Sequence, residues 1–403
     1  MDIFSLAYCR TYQAIYRFLM KIIKIREPLL IEGDNSSKDA YKILEKNHLN
    51  NVFVVTDEFL YYSGLMKKML DELDTHHLKV TIFKDVIPNP TIDLIEAAYI
   101  SYCRNKCEGI IAFGGGSVMD TAKGVGARVA RPKKSIPMMK GNVKIRKKLP
   151  LLIAIPTTAG TGSEATLAAV VSNPKTHEKY ALQDPVLVPC YAILDPLLIK
   201  DLPSKITSTT GMDALTHALE AYIGKSNTKL TKKACIEAIK LIMNNLLSSY
   251  DDPHNLEARK NMLKASYLAG VSFTRAYVGN VHAIAHTLGG FYNVPHGLAN
   301  AIILPIVLRY YGKSIYSKLA KIVDLVFVNN SLSSRKEKTE FLINKIEQMN
   351  KHMDIKNTFS SLIKEEDLPL MISRAQKEAN PLYPVPKQFS KKDFLEVYKK
   401  IMK

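Results

Sequence analysis

Disulfide frameworks, zinc knuckles and membrane spans find no support in this sequence. Cysteine is sparse: Cys9, Cys103, Cys107, Cys190 and Cys235 are the five among 403 residues, and no two have C-x-x-C spacing. An odd, scattered set excludes a stapled secreted scaffold and fits a reducing cytoplasm. Cys103 and Cys107 stand one helical turn apart and are expected to pack rather than bind metal. No apolar run reaches bilayer length, because Arg10, Arg17 and Lys21 interrupt the stretch over residues 1–26 that comes nearest. That stretch also lacks the basic leader and small-residue cleavage site of a secretory signal. It reads as an amphipathic helical extension, docked on its own domain or on a second subunit, with a membrane-surface anchor as the alternative. Internal repeats and low-complexity segments are absent.

Acidic residues are also in deficit. Lys and Arg total 56 against 38 Asp and Glu, a formal charge of +18. The lysines are spread along the chain, with small clusters at Lys133–Lys134 and Lys144–Lys148. No nucleic-acid recognition module with interleaved aromatics is legible, so a polynucleotide is not an expected partner. The excess instead favours encounter with small anions such as a dinucleotide.

A chain of this length exceeds one small core, and two domains are expected. Strand-like apolar runs end near residue 200, and from LPSKITSTTGMDAL onward the pattern is helical. Ala214, Leu215, Ala218, Leu219, Tyr222 and Ile223 form one apolar stripe. The expected division is a Rossmann-like α/β dinucleotide-binding domain over 1–201 and an all-helical metal-binding domain over 202–403.

What is present in the second half is a metal-ligand pattern. Asp213 and His217 lie four apart in GMDALTHALEAY, and His282 and His286 repeat that spacing in HAIAH. Residues at i and i+4 share a helix face, so each pair can approach one ion. His296 follows a Gly-Gly turn and a proline. A carboxylate with imidazoles suits Fe²⁺ or Zn²⁺. A lone buried histidine is more often a core residue than a ligand; three histidines and an aspartate at helical spacing reverse that weighting.

The first half carries phosphate-binding patterns. GIIAF (109–113) reads as a buried strand, followed by Gly114, Gly115 and Gly116 and then a helix opening at Ser117. Ser117 with Asp120 has the form of a capping box. Strand, glycines and helix start together offer backbone N–H groups to a phosphate. Met119 at the third glycine position sets this apart from G-x-G-x-x-G. LLIAI (151–155) leads into PTTAGTGSE, where Thr157, Thr158, Thr161 and Ser163 supply hydroxyls. NVFVVTDEF places Asp57 at a strand end, where a carboxylate can bind a ribose and repel a 2′-phosphate.

On VVTDEF, PNPT (88–91), GGGSVMDTAKG, PTTAGTGSEAT, LPSKITSTTGMDALTHALEAY, HAIAHTLGGFYNVPHGLANAIILP and EANPLYPVP, the chain resembles the iron-containing (group III) alcohol dehydrogenases. The resemblance extends over most of residues 30–386. It implies metal binding by Asp213, His217, His282 and His296. It also implies cofactor contacts from Asp57, Asn89, Gly115, Gly116, Ser117, Asp120, Thr157, Thr158 and Lys179. His286 matches an extra histidine beside the metal, close to nicotinamide and substrate, with proton relay as its expected role. The expected activity is metal-dependent hydride transfer between NAD(H) and an alcohol–aldehyde pair. Iron is the expected metal and zinc the alternative; NAD is the expected carrier and NADP the alternative. A cytoplasmic homodimer is expected. A zinc-type polyol dehydrogenase and a non-catalytic metal- and dinucleotide-binding protein are the competing readings.

Overall fold

The computed structural model describes residues 3–23, 25–174, 178–328 and 330–403, with backbone alone at residues 3 and 19–22. Contacts divide the chain into two compact units. One comprises Ile25–Leu202 and Pro253–Gly270; the other comprises Met1–Lys24, Pro203–Asp252 and Val271–Lys403.

The first unit is built on a parallel sheet. Its strands are β1 (Leu29–Glu32), β2 (Asn51–Val55), β3 (Lys79–Phe83), β4 (Gly109–Gly114), β6 (Leu151–Pro156) and β9 (Tyr191–Leu194), in the order β1-β9-β6-β4-β2-β3. All pairings within it are parallel. A smaller sheet joins β5 (Gly141–Asn142), β7 (Ala168–Asn173) and β8 (Glu178–Gln183) in the order β5-β8-β7. Successive strand residues point to opposite faces, and here both faces are apolar. Phe53, Val55, Ile110, Ala112, Leu152 and Ala154 join one core cluster. Val52, Val54, Ile111, Phe113, Ile153 and Ile155 join the other. That two-sided burial is why these strands read as unbroken hydrophobic runs.

Helices cover both faces. The sheet unit's helices are α2 (Ala40–Lys46), α3 (Glu58–Tyr62), α4 (Lys67–Thr75), α5 (Ile92–Arg104), α6 (Gly116–Ala130) and, as far as Gly270, α9 (Leu256–Ala276), whereas α1 (Ile3–Ile22) belongs to the other unit. Helices α5 and α6 supply Ile95, Ala98, Val118, Ala122 and Val125 to the first cluster. Helices α2 and α4 supply Ile43, Leu44, Met69 and Leu73 to the second.

The second unit is helical: α1, α7 (Ser204–Ile223), α8 (Lys229–Asp251), the end of α9 (Leu256–Ala276), α10 (Asn280–Tyr292), α11 (His296–Tyr311), α12 (Tyr316–Val326), α13 (Arg335–His352), α14 (Leu368–Ala379) and α15 (Lys391–Met402). Helix α7 packs on α8 and α11, and α10 packs on α11 and α14. From Gly211 to Ile223 every residue of α7 is buried. The expected single stripe is therefore part of a segment of α7 that is enclosed on all sides.

Three sequence expectations are corrected. The two units are not the linear halves 1–201 and 202–403. Helix α1 groups with the helical unit because Arg10 and Gln13 bond to backbone carbonyls between Pro381 and Pro386, while Pro253–Gly270 groups with the sheet. Gly115, not Ser117, is the N-cap of α6, and its side-chain-less position makes no capping bond. Gly289 and Gly290 lie inside α10; the turn before His296 is made by Asn293 in the left-handed region (φ 57°) and by Pro295. The 1–26 extension is helical over Ile3–Ile22, with Met1, Asp2 and Lys24 outside the described residues. Among the described residues no helix is long and apolar enough to cross a membrane.

Candidate metal centre and dinucleotide cradle

Four donors converge in the helical unit. Asp213 and His217 come from α7, His282 from α10, and His296 is the first residue of α11. One ligand atom from each lies within 4.8 Å of the others. Asp213 Oδ1 stands 3.9 Å from His217 Nδ1, 3.9 Å from His282 Nε2 and 3.5 Å from His296 Nε2. Tetrahedral ligands about 2.1 Å from an ion lie roughly 3.4 Å apart, so these separations fit a single divalent metal. Asp213, His217 and His282 are buried, which excludes water from that side. His217 stacks on Phe273 with ring centroids 4.1 Å apart. Burial, with His217, His296 and His286 around it, holds His282 well below its ordinary pKa and keeps it neutral, as ligation requires.

Two further residues brace the set. Glu220, three residues beyond His217 on α7, accepts from His282 Nδ1 at 2.6 Å and from the backbone N–H groups of Gly279 and Val281, each at 2.8 Å. Burial pushes its carboxyl up, and the backbone N–H groups of Val281, Gly279 and His282 oppose that shift and favour the anion. Asn300 directs Nδ2 to Asp213 Oδ1 at 2.7 Å, with His296 Nε2 and His282 Nε2 at 3.1 and 3.2 Å. Sequence reasoning passed over both. The 213–217–220 spacing held the signal for Glu220, and the i+4 spacing of His296 and Asn300 held it for the amide.

His286 lies outside the four-donor set but against it. Its ring stacks on that of His296 at 5.1 Å, and its centroid is 6.0 Å from that of His282. The side chain is about one-third exposed, and Nδ1 is 2.6 Å from Glu378 Oε1.

The sheet unit assembles the other expected residues. Strands β4 and β6 are neighbours in register, with Gly114 opposite Pro156, so their loops leave the same carboxyl edge. A Cβ on Gly115 would come within 3.3 Å of Thr158 Oγ1, and one on Gly116 within 2.9 Å of Thr161 Cγ2. Glycine there lets the loops close on one another and leaves the first N–H groups of α6 open to an anion. The backbone N–H of Asn89 donates to Ser117 Oγ at 3.3 Å, and Lys179 Nζ donates to Asn89 Oδ1 at 2.9 Å. Asp57 caps α3 by accepting from Leu60 N at 2.9 Å. The backbone N–H of Thr157 is held by Gly114 O at 3.2 Å.

Lys123, which sequence reasoning missed, fixes the second loop. Fully buried in α6, it donates to Ser163 O, Ser163 Oγ, Thr166 O, Thr166 Oγ1 and Ala168 O at 2.7–3.0 Å. Ser163 Oγ donates to Asp120 Oδ1 at 3.2 Å. Burial pushes Asp120 up to about 6, opposed by the Lys123 ammonium. Gly162, at φ +59°, adopts a conformation that favours glycine, and a Cβ there would meet Ser266 O at 2.6 Å.

A largely buried one-carboxylate, three-imidazole set in one unit and a strand–glycine–helix cradle in the other fit a metal- and nicotinamide-dependent dehydrogenase. Comparison with known proteins narrows this. The iron-containing alcohol dehydrogenase model matches residues 28–196, and the C-terminal model of the Fe-containing alcohol dehydrogenase family matches residues 207–402. The chain belongs to the iron-containing alcohol dehydrogenase family. It is similar to the 1,3-propanediol dehydrogenase of Citrobacter freundii, at 37% identity over 86% of this chain and 90% of that one. The NAD-dependent methanol dehydrogenase of Bacillus methanolicus is 33% identical over 86% of this chain and 91% of its own. The crystal structure of a 1,3-propanediol oxidoreductase superposes with a TM-score of 0.89 at 33% identity, covering 94% of this chain and all of the other. The protein is thus a metal-dependent oxidoreductase that moves a hydride between a nicotinamide dinucleotide and an alcohol–aldehyde pair.

Proposed function

We propose that the substrate is a small primary alcohol or its aldehyde, and that NAD(H) is preferred over NADP(H). The observation that carries the reading is the convergence of Asp213, His217, His282 and His296. These four residues would hold the metal, whose charge remains near +1 after one anionic ligand. When bound, the ion supplies Lewis acidity to a substrate oxygen, and the nicotinamide ring carries the hydride.

The chain's own residues do the rest. Asp213 supplies the one negative ligand, and Asn300 holds its Oδ1. Glu220 fixes His282 with its proton on Nδ1 and its lone pair on Nε2. His286 takes up the hydroxyl proton in oxidation and returns it in reduction, for which a partly exposed imidazole beside the donor set is suited. On the sheet unit, Gly115, Gly116 and Ser117 present N–H groups to the pyrophosphate. Asn89, Thr157, Thr158 and Lys179 contact the nucleotide, with Asp120 holding the loop through Ser163. Asp57 receives the adenosine ribose.

Small primary alcohols are the substrates named for the propanediol and methanol relatives. Free cysteines without a disulfide among the described residues support a cytoplasmic location. Phe4, Tyr8 and Phe18 on the exposed side of α1 support pairing with a second copy as a homodimer, which light scattering tests. The test of function is an anaerobic panel of alcohols and aldehydes. Metal-free protein is reconstituted with Fe²⁺ or Zn²⁺ and assayed with NAD(H) and NADP(H). Turnover of primary alcohols only with metal is expected; metal-independent turnover, or none on any alcohol, overturns the reading.

A further inference from the structure

A line of side chains runs from His286 through the helical unit to α1. His286 Nδ1 is 2.6 Å from Glu378 Oε1, and the Tyr383 hydroxyl donates to the same oxygen at 2.7 Å. Tyr383 is 7% exposed, so its hydroxyl has few alternatives to this carboxylate. Its position is set from α1. Buried Gln13 donates Nε2 to the carbonyl of Tyr383 itself at 2.8 Å and to Pro381 O at 2.9 Å. Arg10 holds Gln13 Oε1 at 2.9 Å and reaches Val385 O at 2.9 Å and Pro386 O at 3.2 Å. The backbone of 381–386 is thereby pinned by two side chains of a single helix.

We propose that Glu378 is a positioning residue for His286, and that α1, through Arg10, Gln13 and Tyr383, holds Glu378 in place. This rests on the role given to His286 above. A carboxylate can only accept, so its contact assigns the imidazole proton to Nδ1 and leaves the lone pair on Nε2. The ring is also fixed in its stack on His296. Without Glu378 the two neutral tautomers compete, and the ring can rotate about its side-chain bonds. In alcohol oxidation the substrate O–H bond breaks and its proton goes to Nε2, while the hydride leaves the carbon for NAD⁺. Nδ1–H remains bonded to Glu378, which neither gains nor loses a proton. Reduction runs the same transfers backwards.

This gives α1 a purpose beyond covering surface. Gln13 and Arg10 direct N–H groups to the carbonyls of Pro381, Tyr383, Val385 and Pro386.

The test uses the metal-loaded full-length protein. Glu378→Leu is expected to lower kcat roughly 10²-fold, at the low end of a proton-transfer contribution, with metal content and KM for NAD⁺ unchanged. Glu378→Asp is expected to recover part of the loss. ¹⁵N NMR of the zinc-loaded protein is expected to show the Nδ1–H tautomer of His286 in the parent and a mixture in Glu378→Leu. Arg10→Ala with Gln13→Ala should lower kcat in the same direction. Wild-type kcat in Glu378→Leu, while His286→Ala is inactive, overturns the positioning role and spares the reading of His286. Full turnover in His286→Ala overturns both. Loss of metal from Glu378→Leu makes the residue structural and also overturns the proposal, as does an unchanged tautomer.

Discussion

Glu220 Oε2 lies 2.6 Å from His282 Nδ1, and both side chains are almost wholly buried. Since Gly279 N and Val281 N bond to the same carboxylate, one α7 side chain fixes both the start of α10 and the orientation of its first histidine. A carboxylate behind an imidazole raises the basicity of the ligating nitrogen and locks its tautomer.

Glu220→Gln keeps the shape but exchanges an acceptor oxygen for a donor. Metal affinity should fall about 10–100-fold, and thermal stability should fall as well, because a buried N–H loses its partner. Chelator competition at fixed free metal, with a thermal melt alongside, measures both. An unchanged metal Kd would leave Glu220 a cap for α10 and nothing more.

The four donors should behave as one unit. His217→Ala or His282→Ala is expected to abolish stoichiometric metal and turnover, with the far-UV circular dichroism of a folded chain retained. Elemental analysis decides the point: metal retained at one per chain in both variants would falsify the assignment.

Much of this was legible in the sequence, and the exceptions have physical causes. The runs at 109–113 and 151–155 are strands because residues on both faces are apolar, a pattern that needs no partner to recognise. The donors were legible because helical i,i+4 spacing is local. Lys123 and Glu378 were missed because their partners are distant in sequence; Glu378 and His286 are 92 positions apart. Glu220 and Asn300 share a helix face with His217 and His296, but the groups they brace, His282 and Asp213, lie 62 and 87 positions away. Ser117 has the chemistry of a cap for α6, but the cap falls two residues earlier, at Gly115, where the glycines lie against Thr158 and Thr161. The grouping of α1 with the far end of the chain rests on Arg10 and Gln13 meeting carbonyls near Pro386, which no local pattern announces.

Asp57 should decide between carriers. Its carboxylate caps α3 through one oxygen, and the charge would oppose a 2′-phosphate. Asp57→Asn preserves the cap, since Asn and Asp serve about equally there, and removes the charge. Catalytic efficiency with NADP(H) should rise relative to NAD(H). Steady-state kinetics with both carriers tests this, and a wild-type preference for NADP(H) would refute the ribose role.

His286 is the sharpest test of the proposed chemistry, because it lies against the donor set without belonging to it. Its ring stacks on that of His296, yet Nδ1 is committed to Glu378 and the four-donor cluster closes without it. His286→Ala should therefore retain metal near one per chain and bind NADH as the parent does. Turnover should fall by about 10²–10⁴-fold, the usual contribution of a positioned acid–base group. Exogenous imidazole should restore part of the rate, since the lost side chain leaves a partly exposed space beside the donors. A metal-depleted variant would instead make His286 a support of the ligand set. Turnover equal to the parent's, with metal intact, would leave it a packing residue, and proton exchange would have to proceed through another group.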